Sequence, residues 1–286
     1  MGLAATWRSR LGELHPRRFF LETWRRLDEE AQAHRAAHPG FDWRPLLAFC
    51  TGAVMLTLME YFGGGRTLRS VLSALPGPGH HPDALAAARA SGFGDLLNYV
   101  WWAGWRVLGY FLVPALVVRL SGQRLRDQLL GWGRTREHLW IYLLCLAVVL
   151  PLVAAVSFTE DFSSYYPFYK LARRSWFDFL AWELLYAAQF FSLEFFFRGW
   201  WLRAASPTMG SGAIFAMVVP YCMIHFGKPW VEALAAIVAG LVLGTLALKT
   251  RSIWSGFFVH VTVAVTMDVA ALLQTVGLPS RWWPPL

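Results

Sequence analysis

The sequence predicts an all-α membrane protein, a polytopic transmembrane helical bundle of about seven spans with an amphipathic or cytosolic helix at its N-terminus. Hydrophobic residues make up 56% of the 286 residues and charged residues only 15%, whereas soluble domains carry about 25% charged residues. The mean hydropathy is +0.40, and apolar runs long enough to cross ~30 Å of hydrocarbon recur along the chain. These values exclude an ordinary soluble domain.

Seven apolar segments have the length that a helix needs to cross a bilayer. They are residues 45–62, 95–118, 138–158, 179–202, 211–227, 231–249 and 253–276. The connection between the first two spans is rich in Gly and Pro, which predicts a turn-rich excursion outside the membrane.

The spans divide the chain into four segments: 1–44, 45–174, 175–276 and 277–286. The first is a basic segment with a predicted helix over 7–36, whose stretch RRFFLETWRRL alternates basic and aromatic residues at helical spacing. That pattern fits a helix on the membrane surface as well as a plain cytosolic helix. The second segment holds the first three spans, the third holds the core helices of the candidate site, and the fourth is a tail.

The charge distribution predicts the orientation in the membrane. The net charge of +8 comes from arginines in short connections, and those of 119–137 fall on the same side as Arg203, Arg251 and the basic N-terminus. Basic connections mark the cytosolic side, so the N-terminus is expected there and the C-terminus outside. Arg173 and Arg174 fall on the opposite side. Topology thus explains the basic residues better than nucleic-acid binding does.

The sixth span contains a stripe of small residues. Ala236, Gly240 and Gly244 recur every four residues, a pattern that lets helices approach closely in lipid. The stripe predicts a packing interface rather than a catalytic site.

Ionisable residues inside the predicted spans form the candidate site. In FFSLEFFFRGWWL (190–202), Glu194 and Arg198 are four residues apart, so an α-helix places them on one face. His225 ends the fifth span, and His260 lies early in the seventh with Asp268 after it. Ionisable side chains cannot face lipid without a large cost, so all five are expected to point toward other helices.

Two chemistries suit a carboxylate with two histidines. The carboxylate can act as a general base on water while a histidine orients it or shares its proton. Alternatively, two histidines and a carboxylate can hold a zinc ion with an open position. No HExxH pattern is present. The sequence leaves both chemistries open, and the expected cofactor is either none or zinc.

Each residue also has a purely structural interpretation. Glu194 and Arg198 can form an intrahelical ion pair that neutralises two buried charges. His225 and His260 can each be a packing residue that forms hydrogen bonds. Asp268 can be the partner of a buried histidine or arginine.

Three stretches resemble, in order and spacing, the motifs of the CAAX protease and bacteriocin-processing family of intramembrane endopeptidases. They are LEFFFRG (193–199), YCMIH (221–225) and FFVHVTVA (257–264). The family motifs are EExxxR, FxxxH, and a His followed four residues later by Asn, Asp or a small residue. The resemblance covers about residues 175–276.

Two positions depart from these motifs. Leu193 stands where the family has the first Glu of its pair, which is usually taken as the water-activating base. Ala264 stands where the family often has an Asn that binds the oxyanion. Three interpretations follow: Glu194 is itself the base, Asp268 or Glu183 substitutes for the missing carboxylate, or the protein is inactive and keeps the fold for binding.

The resemblance implies a glutamate-type or metal-assisted intramembrane endopeptidase that acts on the C-terminal region of lipidated or membrane-anchored proteins. In this scheme Glu194 and His225 activate water. His260 then stabilises the oxyanion, Arg198 holds Glu194 ionised, and Asp268 is a further catalytic candidate.

The alternative is a catalytically inactive membrane scaffold or a bacteriocin-immunity protein of the same family. The expected partners are the lipid bilayer and a membrane-associated peptide or protein substrate, with no nucleic acid. The expected location is the bacterial inner membrane, with the N-terminus in the cytoplasm.

Overall fold

The computed structural model describes His15 and residues 17–285, and this part of the chain is all-α. Within it, an isolated bridge between Pro76 and Asp83 is the only β pairing. The predicted fold class is therefore confirmed. The first residues of the helix predicted over 7–36 lie outside the described residues.

The α-helices are numbered here in chain order over the described residues. Helices α1 to α13 are Thr23–Ala37, Trp43–Phe62, Gly65–Ala74, Ala84–Ala90, Gly94–Val107, Val113–Leu120, Thr135–Val156, Glu160–Tyr165, Trp176–Glu194, Leu202–Met209, Gly212–Met223, Trp230–Thr250 and Trp254–Thr275. Three segments are π-helical, namely Arg17–Glu22, Leu108–Leu112 and Phe195–Trp201. Such segments are rare and often mark functional sites, and the third directly follows Glu194.

Among the described residues, five helical stretches are long and apolar enough to cross a membrane, and each coincides with a predicted span. They are Trp43–Phe62, Gly94–Leu120, Thr135–Val156, Trp230–Thr250 and Trp254–Thr275. The predicted count of seven is not confirmed. The predicted span 211–227 corresponds to α11, which has only 12 residues. The predicted span 179–202 carries several ionisable residues and changes from α to π geometry after Glu194.

The chain groups into two compact units. The first comprises Met1–Phe49, Arg126–Thr135 and Phe197–Ile253. The second comprises Cys50–Leu125, Arg136–Phe196 and Trp254–Leu286. The predicted division at residues 44, 174 and 276 follows other boundaries and stays a prediction.

In the first unit, α11 approaches α12 closely because α12 presents glycines at the contact. A Cβ atom at Gly240 would lie 3.2 Å from Cδ1 of Tyr221, and one at Gly244 would lie 3.0 Å from Cε of Met217. Ala236, on the same stripe, is buried. The predicted small-residue interface is confirmed, and it holds the ring of Tyr221 in place.

Within the first unit, helix α1 buries one of its faces. That face repeats every four residues and consists of Thr23, Leu27 and Ala31. The indole Nε1 of Trp24 donates to Thr245 Oγ1 at 3.0 Å, and Asp28 accepts the backbone N–H of Ser211 at 2.7 Å. The N-terminal segment is thereby tied to α12 and to the start of α11.

In the second unit, an aromatic core surrounds Trp182, which is fully buried. The ring of Tyr99 from α5 lies edge-on to it at 4.8 Å, and the ring of Phe168 lies parallel to it at 5.8 Å. Helix α13 contributes Ala264 and Leu272 to the same cluster. This core packs α9 against both α5 and α13.

The first turn of α9 is held by a polar network. Ser175 Oγ accepts the backbone N–H of Asp178 at 3.1 Å, and the buried Asp178 carboxylate accepts from Arg174 at 2.8 Å and from Tyr169 at 2.9 Å. Burial and the hydrogen bond to Asp178 raise the pKa of the Tyr169 phenol. The charge of Arg174 is thus balanced locally by the Asp178 carboxylate.

The C-terminal tail folds back onto the same helix end. The backbone N–H groups of Trp176 and Phe177 donate to the carbonyls of Arg281 and Trp282 at 2.9 and 3.0 Å. The first N–H groups of a helix have no partner within the helix. The tail supplies two of those partners and so fixes where α9 begins.

Candidate active site

Glu194 and His260 form the central contact of the candidate site, within the second unit. Glu194 is the last residue of α9, and His260 lies near the start of α13. The imidazole Nδ1 lies 2.8 Å from Glu194 Oε1, and the two side chains are 16% and 1% exposed, respectively. A carboxylate this close to Nδ1 leaves Nε2 as the ring nitrogen that does not face it.

Gly256 makes room for the Glu194 carboxylate. It lies one helical turn before His260 on α13, and a Cβ atom there would lie 2.6 Å from Glu194 Oε2. Any side chain at this position would displace the carboxylate from the imidazole. Sequence reasoning missed Gly256, although its place one turn before a candidate histidine was a usable signal.

A series of stacked rings on α9 leads to His260. Trp182, Tyr186 and Phe190 are four residues apart, with ring centroids 4.7 Å and 4.5 Å apart. The Phe190 ring lies 5.3 Å from the His260 imidazole at an angle of only 5°. The imidazole is therefore held both by the Glu194 carboxylate at its edge and by Phe190 on its face.

Asp268 lies at the other end of this series. Its carboxylate is fully buried, accepts the indole N–H of Trp182 at 2.6 Å, and lies close enough to Glu183 for the two carboxyl groups to interact. Eight residues separate Asp268 from His260, a rise of about 12 Å along α13, so Asp268 does not contact the imidazole.

In the first unit, Arg198 and His225 both contact Tyr221. Arg198 is fully buried in the π-helical segment, and its guanidinium carbon lies 4.0 Å from the centroid of the Tyr221 ring. His225 Nδ1 lies 2.8 Å from the backbone carbonyl oxygen of Tyr221. Because α11 ends at Met223, His225 lies in the turn after the helix and not inside a span as predicted.

The candidate residues are thus divided between the units. Glu194, His260 and Asp268 belong to the second unit, while Arg198 and His225 belong to the first. The ion pair of Glu194 with Arg198 stays a prediction, as does the meeting of His225 with His260.

The two departures from the family motifs are buried in apolar surroundings. Leu193 and Ala264 are each 4% exposed, and Ala264 belongs to the aromatic cluster around Trp182. Neither side chain supplies the polar group that the family motifs have at its position.

The donor set does not fit a zinc ion. Protein zinc sites use at least three ligands, and the residues that the structure describes contain no group of three or more His, Cys, Asp or Glu placed to hold a metal. The contact of Glu194 with His260 supplies two donors. No metal enters the chemistry proposed below.

One comparison with known proteins finds a match over part of the chain. Residues 136–266 match the family model described as type II CAAX prenyl endopeptidase Rce1-like, in agreement with the family predicted from the motifs. No curated protein and no solved structure gives a significant match to the chain. With five helices of span length, the chain is an integral membrane protein.

Proposed function

Starting from the Rce1-like region at residues 136–266, we propose that the protein is an intramembrane endopeptidase. It hydrolyses a peptide bond in the C-terminal region of a lipidated or membrane-anchored protein. The contact that carries this proposal is the 2.8 Å approach of His260 Nδ1 to the buried Glu194 carboxylate. A buried carboxylate that orients an imidazole is a recurrent arrangement in hydrolases.

His225 is suited to take the proton from water. Its Nδ1 lies 2.8 Å from a backbone carbonyl oxygen, and because a carbonyl only accepts, Nδ1 carries the proton. Nε2 of the neutral ring is then an acceptor. In the proposed reaction, Nε2 accepts one proton of a water molecule while the water oxygen attacks the carbonyl carbon of the peptide bond. The π electrons of the carbonyl group move to its oxygen, which becomes the oxyanion.

His260 is suited to stabilise the resulting oxyanion. Protonated on both nitrogens, it donates from Nε2 to the oxyanion while Glu194 balances its charge through Nδ1. A single donor of this kind is worth about 2.7–4 kcal/mol of transition-state stabilisation. The intermediate then collapses, the C–N bond breaks, and the leaving amine takes the proton from His225.

Arg198 and Glu183 are assigned supporting roles. The guanidinium carbon of Arg198 lies 4.0 Å from the centroid of the Tyr221 ring. The backbone carbonyl of Tyr221 orients His225, so Arg198 positions His225 indirectly. Glu183 interacts with Asp268, so we assign it to a second polar cluster and not to the surroundings of the imidazole.

The test is cleavage of a fluorescent peptide, carrying a prenylated cysteine near its C-terminus, by the full-length protein in proteoliposomes. Glu194→Gln, His225→Ala and His260→Ala are each expected to lower the rate about 10²-fold or more. Thr266→Ala is the matched control, because its hydroxyl bonds only the carbonyl of Thr262 on α13. Cleavage near the wild-type rate in all three variants would refute the assignment.

A second candidate function is a non-catalytic membrane scaffold of the same family. The apolar burial of Leu193 and Ala264 favours it, because both positions lack the polar groups of the family motifs. In that case purified protein cleaves no prenylated peptide. His225→Ala and His260→Ala then leave folding and partner binding unchanged.

A further inference from the structure

Three arginines come together in the first unit, away from Glu194 in the sequence. Arg44 lies in the first turn of α2, Arg203 in the first turn of α10, and Arg251 directly after α12. Helix α10 packs against both α1 and α12, and Arg44 Nη2 lies 3.0 Å from His34 Nε2 on α1. The arginines thus belong to elements that meet.

Electrostatics shows that these charges act on one another. Partial loss of water around Arg203, together with the charges of Arg44 and Arg251, lowers the pKa of the Arg203 guanidinium. The same effect reaches His34, whose pKa is lowered by burial, by the neighbouring His38 and by the charges of Arg44 and Arg203. Like charges repel, so an anion bound beside these arginines would be stabilised by all three.

The described carboxylates compensate only part of the charge. Asp42 bonds Arg44 through both of its oxygens, at 2.8 and 2.6 Å, and Asp127, which lies 3.8 Å from Arg126, offsets part of the charge around Arg203. Among the described residues, no carboxylate lies within ion-pair distance of Arg203 or Arg251. Both residues are exposed, so an anion from outside can reach them.

The position of the cluster indicates which anion this is. Arg44 opens the candidate span Trp43–Phe62, and Arg251 directly follows the candidate span Trp230–Thr250. Next to Arg44, Phe41 and Trp43 are 68% and 62% exposed, and their rings pack edge-on at 4.7 Å. Exposed aromatic residues at the ends of spans mark the headgroup level of a bilayer.

We propose that Arg203 and Arg251, with Arg44 beside them, bind the phosphate of an anionic phospholipid headgroup. Guanidinium groups match phosphate oxygens with paired hydrogen bonds, and basic pockets at the ends of spans bind anionic lipids. Phe41 and Trp43 would lie at the level of the glycerol backbone. Lipid binding at these arginines does not depend on peptide hydrolysis, so it can be tested independently of the proposed activity.

The experiment titrates short-chain phosphatidylglycerol or phosphatidylcholine into the full-length protein in detergent and counts bound lipids by native mass spectrometry. The wild type is expected to prefer phosphatidylglycerol. Each of Arg203→Gln and Arg251→Gln is expected to weaken that binding about fivefold, and the double variant about 30-fold, at roughly 1 kcal/mol per arginine. The matched control removes two exposed arginines elsewhere, Arg66→Gln with Arg89→Gln, and is expected to leave the preference unchanged.

Several results would overturn the proposal. One is that the wild type binds both lipids with equal affinity. Another is that the control variant loses as much affinity for phosphatidylglycerol as the Arg203→Gln and Arg251→Gln double variant does. Displacement of phosphatidylglycerol by inorganic phosphate at millimolar concentration would mean a free-phosphate site and not a lipid site. If the double variant fails to fold, the single variants and the salt dependence of wild-type binding decide, since phosphate contacts made by arginines weaken steeply with salt.

Discussion

The imidazole of His260 lies parallel to the ring of Phe190, with a centroid separation of 5.3 Å and an angle of 5°. Its edge at the same time meets the Glu194 carboxylate at 2.8 Å. A ring held on its face and at its edge has little rotational freedom. A catalytic imidazole needs this degree of order before the substrate arrives.

Glu194 and His260 are expected to act as one unit in catalysis. Glu194→Gln and His260→Ala should each lower the cleavage rate by about 10²–10³-fold. The double variant should be little worse than either single variant, because residues that act together give non-additive losses. Steady-state cleavage of the prenylated peptide measures this, and multiplicative losses would mean that the two residues act independently.

Gly256→Ala is expected to impair catalysis without unfolding the protein. The new methyl group would lie 2.6 Å from Glu194 Oε2, so the flexible end of the glutamate side chain must move away from His260. A displacement of this size can cost about 10²-fold in rate, while alanine itself suits a helix better than glycine.

Gly104→Ala is the control for Gly256→Ala. A Cβ atom at Gly104 has no neighbour within 4 Å, so this substitution should leave cleavage unchanged. Thermal unfolding in detergent should show both variants to be as stable as the wild type. Full activity of Gly256→Ala would show that the position of the carboxylate is not important.

Trp182→Phe is expected to destabilise the second unit. The substitution keeps a ring in the aromatic core but removes the N–H that reaches the fully buried Asp268 at 2.6 Å. Loss of a donor to a buried polar group costs about 1–3 kcal/mol. Trp101→Phe is the comparison, because its indole bonds Phe62 at an exposed position where water can replace it.

Asp268→Asn separates structural from catalytic roles for this residue. Its distance along α13 from His260 favours a structural role, and asparagine keeps an oxygen that can accept from Trp182. We therefore expect cleavage close to the wild-type rate, with lower thermal stability because the substitution alters the interaction with Glu183 at a buried position. A large loss of rate at unchanged stability would instead support the catalytic role expected from the sequence.

The stability of the first unit is expected to depend on pH through Asp42. The hydrogen bonds from Arg44 hold the pKa of Asp42 below its ordinary value of 3.8. A carboxyl group with a lowered folded-state pKa stabilises the fold above its unfolded-state pKa and loses that contribution as pH falls through the folded-state value. The contribution should thus be complete at neutral pH and disappear progressively below about pH 4.

Thermal unfolding of Asp42→Asn tests this dependence. The variant should melt below the wild type at neutral pH, and the difference should shrink as the pH falls. Asp161→Asn serves as the control, since Asp161 is exposed and has no ion pair among the described residues. A constant difference at every pH would rule out the ion pair as its cause.

The sequence predicted the class of the fold because hydropathy is a local property. The helix Trp254–Thr275, for example, agrees with the predicted span 253–276 within one residue at each end. The type of helix was harder to predict from the sequence, because the residues around Glu194 are equally apolar in an α-helix and in a π-helix. The arithmetic of α-helical spacing therefore could not foresee the π-helical segment Phe195–Trp201.

Motif spacing predicted the important side chains but not their neighbours. It identified Glu194 and His260 as parts of one catalytic scheme, but it could not give the direct contact between them. The contact with His260 requires α9 and α13 to pack together, and this depends on Gly256 and on the aromatic core. Such tertiary contacts join residues that are far apart in the chain, and no local pattern in one sequence reports them.

The stacked rings between α9 and α13 also constrain how a peptide reaches the imidazole. Parting these two helices would break the contact of Phe190 with His260 and would separate Asp268 from Trp182. We therefore expect α9 and α13 to stay packed together during the proposed reaction. In the proposed reaction, the substrate peptide is therefore expected to approach His260 from a side that α9 and α13 do not cover.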